Sequence, residues 1–283
     1  MKPNFSSLFL LLLLFLMPLQ VAAQEDTPSV DLGQSRWNKT TLSILLVLDE
    51  SESWWQPYFP NMTMRAVQQW KDAFNFFAEN YPQYSYLSDL ELTTTTSNVS
   101  LPGFDIYIVF SPNVLISGVN ALGETLVLSS SNGTTLIANV TLSAQSQVID
   151  VTLQDYRDTT VHELGHALGL GHSNSSEDLM YPYNDIFSSS YAISTLDLFG
   201  VAVLFEPPNA TAVEKPPAYV VLPPEIEYAY APIKDPAPTS ITDNPLVKLF
   251  AVLILNPITL LMMVLLITMI ILLVTVIVRS RRR

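Results

Sequence analysis

Residues 162–172 read His-Glu-Leu-Gly-His-Ala-Leu-Gly-Leu-Gly-His and contain all three histidines of a 283-residue chain. Positions four apart in a helix share a face, so His162 and His166 can present two imidazoles to one metal ion. Gly169 lets the chain leave the helix in a conformation that disfavours other residues, and the turn that follows can bring His172 round as a third ligand. Three neutral imidazoles leave zinc a fourth position for water, the open coordination that hydrolysis requires. Glu163 sits beside the first ligand, where it can take a proton from that water and pass it to a leaving amine. The alternative is a solvated helix face, which the absence of any histidine elsewhere argues against.

The rest of the composition narrows the chemistry. There are no cysteines, which excludes a disulfide scaffold, a thiolate zinc site and a thiol nucleophile. The chain carries 26 acidic and 13 basic residues, a net charge of −13, which argues against a nucleic-acid partner. No acidic residue lies before Gln24 or after Lys248, so the intervening part is more acidic than the whole.

The ends read as membrane-directed. Residues 1–23 have a lysine, an apolar stretch from Leu8 to Leu19 and Val21-Ala22-Ala23 before Gln24, the pattern of a secretory signal peptide; an uncleaved anchor is the alternative. Residues 249–278 form an apolar run long enough to span a bilayer as a helix, followed by a basic tail, 279–283, expected on the cytoplasmic side. Residues 207–248 are proline-rich and read as a stalk, and residues 24–35 as a short leader. A folded domain is expected over residues 36–206. Seven Asn-x-Ser/Thr sequons, from Asn38 to Asn209, fit an extracellular glycoprotein.

Within that domain, Leu42–Leu48 reads as a buried strand, and Phe104–Phe110 alternates as a strand should. Met64, Val67, Trp70, Phe74 and Phe77 recur at helical steps and predict an amphipathic helix buried by its aromatic face. Thr125–Leu128, Thr134–Leu142 and Gln147–Thr152 are weaker strand candidates.

The histidine segment matches the extended metzincin pattern His-Glu-x-x-His-x-x-Gly-x-x-His at every fixed position. Leu179-Met180-Tyr181-Pro182 resembles the methionine turn of that clan, which implies that Met180 forms an apolar floor beneath the imidazoles. Ser173 after the third histidine, the Leu-Met-Tyr-Pro sequence, and Asp197 and Gly200 in an Asp-x-x-Gly within Ser194–Phe205 resemble the matrixins in particular. Pro182 stands where astacins and serralysins carry a metal-binding tyrosine, and Ser173 where adamalysins usually have Asp.

The resemblance implies an α+β, zincin-type domain with a twisted mixed sheet, an active-site helix and a methionine turn, to which the sequence adds one C-terminal transmembrane helix. It implies a membrane-anchored, outward-facing zinc endopeptidase acting on protein or peptide substrates, with one zinc on His162, His166 and His172 and Glu163 as general base, then acid. Extended substrate would pair with the strand at Thr125–Ser129, and a specificity pocket would lie near Pro182 and Tyr183; the family has Pro-x-Tyr where this chain has Pro182-Tyr183-Asn184. Calcium is left open. No histidine remains for a second, structural zinc, and the cysteine-free leader predicts a protease made without thiol latency. The competing reading is a catalytically silent, metal-stabilised surface module for binding or adhesion.

Overall fold

The computed structural model describes residues 27–144, 153–182, 192–207 and 215–234, together with Thr268. The expected signal peptide, the spanning segment apart from Thr268, the basic tail, the strand candidate at Gln147–Thr152 and Tyr183 lie outside the described residues. Among the described residues no helix is long and apolar enough to cross a membrane.

Strand β2 (Thr41–Val47) is flanked on both sides by parallel partners, β3 (Glu91–Ser97) and β4 (Ile106–Ser111). A strand in that position has both faces covered, which is why Leu42, Ile44, Leu45 and Leu46 form a nearly continuous apolar run and are all fully buried. Two short strands, β5 (Val114–Ile116) and β6 (Val119–Ala121), form a separate hairpin before β7 (Gly123–Ser129). With β8 (Thr135–Ser143), the main sheet runs β3-β2-β4-β8-β7. Only β7 is antiparallel to its neighbour, and it forms one edge.

The expected aromatic helix is α1 (Phe59–Asn80). Trp70, Phe74 and Phe77 are buried in the common core with Ile44, Ile106 and Val140, whereas Met64 is 43% exposed. Its expected place in the stripe is taken by Thr63, whose hydroxyl donates to the Phe59 carbonyl 2.9 Å away and so has no unsatisfied polar atom to bury. Trp70 Nε1 donates to the carbonyl of Val161, 2.9 Å away, tying α1 to α2 (Leu153–Leu168), the helix that carries His162, Glu163 and His166.

A second sheet was not apparent from sequence pattern. Its order is β10 (Tyr219–Val221), β1 (Ser29–Leu32), β9 (Leu170–Ser173), all antiparallel. Strand β1 comes from the expected leader and β10 from the expected stalk, so parts of both segments are packed on the domain. Val30 is fully buried, Val220, Ile226 and Ala231 are also buried, and the Ala231 amide donates to the Ile193 carbonyl at 2.8 Å. Prolines 216, 217, 223 and 224 flank β10 without interrupting it, consistent with the tolerance of edge strands for proline. Helix α3 (Thr195–Phe205) starts with a capping box in which Ser194 and Asp197 satisfy each other's backbone amides.

Val30→Asp tests the packing of the leader. A charge placed between β9 and β10 without a partner is expected to cost several kcal/mol of unfolding free energy in urea titrations. An unchanged midpoint would show that β1 is not part of the cooperative domain.

Candidate active site

Helix α2 ends at Leu168, and Gly169 follows with φ +110°, a left-handed conformation that a side chain would strain. The chain then reverses into β9, which delivers His172 opposite His162 and His166. The three imidazoles have ring centroids 4.7, 4.9 and 5.6 Å apart, and one ligand atom from each lies within 4.8 Å of the others. Among the described residues this is the one such group of three potential ligands.

Two ring orientations are set by backbone. His162 Nδ1 is 2.7 Å from the Leu179 carbonyl oxygen, and His166 Nδ1 is 2.9 Å from that of Leu170. A carbonyl only accepts, so each Nδ1 carries the proton and each Nε2 keeps its lone pair for a metal. Leu179 immediately precedes Met180, so the methionine turn aims the first ligand. The Ser173 amide also donates to the Met180 carbonyl, at 2.8 Å, fastening the end of β9 to the same turn. Met180 is fully buried, and a Cβ at Gly165 would come within 2.5 Å of its sulfur. The glycine between the two helical ligands therefore seats the methionine against α2.

Burial is the main influence on the titrating groups here. It holds the His162 imidazole down at about 3 and that of His166 at about 4, with neighbouring imidazoles adding to the effect in both. His172 is lowered by the same cause, offset by the charge of Asp31. Neutral imidazoles are the form a metal binds, so the donor set fits zinc. Burial pushes the Glu163 carboxyl up to about 7; Thr125 opposes the rise and the charge of Glu124 adds to it.

Glu163 and the three histidines line a cleft of about 1110 Å³ bounded by β7 on one side and by Tyr181 and Pro182 on the other. Pro182 lies on the cleft wall. Three apolar residues of the β5–β6 hairpin, Leu115, Ile116 and Val119, are exposed, and the last two also line the cleft.

Two features escaped sequence reasoning. One is the contact between Thr125 and Glu163. The other is a buried carboxyl pair behind the methionine turn: Asp178 and Asp197 are both inaccessible to solvent and face each other. Asp197 Oδ2 accepts from the Ser194 amide and hydroxyl at 2.9 and 3.0 Å, and Asp178 Oδ1 accepts from Tyr228 at 3.3 Å. Asp178 Oδ2 and Asp197 Oδ1 would have no donor if both were ionised, whereas one shared proton satisfies both. Burial raises both carboxyls above their ordinary range, and for Asp197 the charge of Asp178 raises it further.

A helix–glycine–strand unit presenting three imidazoles, a buried glutamate beside them and a methionine turn beneath define a single-metal site of the metzincin type. Residues 36–206, more than half of the chain, match the matrixin family model, and the chain belongs to that family. Its members use zinc, and His162, His166 and His172 are positioned to hold the ion. Over 65 residues the chain is 35% identical to metalloendoproteinase 2-MMP of Arabidopsis thaliana and 37% identical to macrophage metalloelastase of Rattus norvegicus. Those stretches cover 23% and 21% of this chain but only 17% and 14% of the relatives.

The carboxyl pair predicts a pH effect. A native state that retains a proton the unfolded chain releases is favoured at low pH, and loses that advantage as pH rises through the native titration. Asp178→Asn removes one charge of the pair. Between about pH 5 and about pH 9, the unfolding midpoint of the metal-free variant is expected to fall less than that of the wild type. Glu163 titrates in both proteins and cancels in the comparison. Parallel profiles would refute the shared proton.

Proposed function

We propose that this protein is a zinc-dependent endopeptidase tethered to a membrane with its catalytic domain outside. The observation that carries the catalytic part is Glu163, only 6% exposed, next to the first metal ligand and opening on the same cleft as all three imidazoles. A metal held only for stability needs no adjacent base and normally has its fourth position closed by protein, which argues against a silent binding module.

Zinc on the three imidazoles supplies Lewis acidity, lowering the pKa of water and polarising a peptide carbonyl. The chain's own residues do the rest. Glu163 takes a proton from the attacking water and returns it to the leaving amine. Leu179 and Leu170 hold the ring protons of His162 and His166, so neither imidazole can turn its protonated nitrogen to the ligand position. Among the described residues β7 has an unpaired edge, whose amides and carbonyls suit an extended substrate adding as a strand, with a side-chain pocket near Pro182; Tyr183, also expected there, lies outside the described residues. Such an edge would favour extended segments over folded ones.

The tether rests on sequence: the signal-like residues 1–23, the apolar run 249–278 and the arginines that follow. Residues 215–234 pack on the domain, so this part of the proline-rich segment does not act as a free stalk. Substrates are then proteins at or near the same surface.

Glu163→Gln in the full chain is expected to bind one zinc per molecule, like the wild type, while casein cleavage falls by about 10²- to 10⁴-fold. Equal zinc content with no cleavage by either protein would favour the binding module. Equal cleavage by both would remove Glu163 from the mechanism.

A further inference from the structure

We propose that Thr125, on the cleft-edge strand, is the positioning residue for Glu163, holding one carboxylate oxygen so that the other meets the attacking water. The inference deepens the proposed function and rests on Glu163 acting as the base.

The sheet register places Thr125 for this task. It lies opposite Val140 across β7 and β8, and residues directly opposite in an antiparallel pair point to the same face. Val140 is fully buried in the core beneath the helices, so Thr125 points toward α2 as well. Its hydroxyl is 2.6 Å from Glu163 Oε2 and 3.0 Å from the Glu163 carbonyl oxygen. The hydroxyl has a single proton, and the short separation to a carboxylate marks where it goes. The β-branched threonine has few χ1 choices, so the donor itself is fixed by the strand.

Gly123, two residues earlier on the same face, completes the arrangement. A Cβ there would come within 2.6 Å of Glu163 Cγ and 2.8 Å of Oε1. The strand therefore closes on the glutamate along its whole length, with a bare backbone beside Oε1 and a donor on Oε2. A glutamate side chain has three torsions, and ordering it costs on the order of 1.5–2 kcal/mol. Contact with Gly123 and Thr125 settles that ordering before substrate arrives. Oε2 is occupied by Thr125, and Oε1 is left to accept the proton.

The test uses the full-length, zinc-loaded protein and an internally quenched peptide that the wild type cleaves. Thr125→Val keeps the shape and removes the donor. It is expected to lower kcat by about 10- to 100-fold, the range of a hydrogen bond to a charged group, with KM and zinc content little changed. Thr125→Ser restores the hydroxyl and is expected to recover most of that loss. A second readout needs no catalysis: unfolding midpoints of the zinc-free proteins in a double-mutant cycle. Thr125→Val should lower the midpoint when Glu163 is present and should not do so in the Glu163→Ala protein. Additive midpoints, or a Thr125→Val enzyme with wild-type kcat, would overturn the proposal, as would a KM increase with kcat unchanged. A wild type that cleaves nothing would instead refute the catalytic reading of Glu163 and, with it, the catalytic consequence drawn for Thr125. The midpoint cycle would still decide whether the contact exists.

Discussion

Three imidazoles share one cation only if each turns an unprotonated nitrogen to the same point, and here backbone carbonyls meet that requirement for two of the three. Leu179 holds the Nδ1 proton of His162, and Leu170 that of His166. The first carbonyl belongs to the methionine turn, the second to the strand that carries His172. Anything that moves the turn or β9 therefore moves the ligands. The dependence extends outward: β9 is paired with β1, β1 with β10, and the end of β9 is bonded to Met180. Two segments from opposite ends of the domain thus brace the third ligand.

The electrostatics follow from the same packing. His162 and His166 are only partly exposed to water, and that burial keeps them neutral well below the usual histidine range. A proton then competes weakly with a metal for these nitrogens in mild acid. Burial has the opposite consequence for Glu163, whose ionised form needs support. That support comes from the Thr125 donor and, when bound, from the positive charge of zinc. Behind the turn, Asp178 and Asp197 show how far the fold accepts buried acid, at the cost of keeping a proton.

The parts legible in the sequence are those with local signatures. The ligand motif spans eleven residues and owes its geometry to one helix and one glycine, so spacing alone exposes it. β2 and β4 announced themselves by a buried run and by alternation, and Trp70, Phe74 and Phe77 by helical period. The small sheet was not legible because its strands are three or four residues long and their pairing joins Ser29 to Val221, almost the whole domain apart. Proline content made residues 215–234 look like stalk, although prolines outside Tyr219–Val221 leave that strand free to pair. Met64 was misplaced because a small residue with a satisfied hydroxyl, Thr63, can occupy a core position. Thr125 and Asp178 are ordinary residues with no local signature, and only tertiary contact with Glu163 and Asp197 gives them meaning.

The central claim is that one zinc sits on three imidazoles and keeps a position open for chemistry. Zinc K-edge X-ray absorption on the full chain reads the ligand set directly. Three imidazole nitrogens and one exchangeable oxygen donor, displaced by a small hydroxamate, are expected. A fourth, non-exchangeable protein ligand, or a coordination shell lacking three imidazoles, would contradict it.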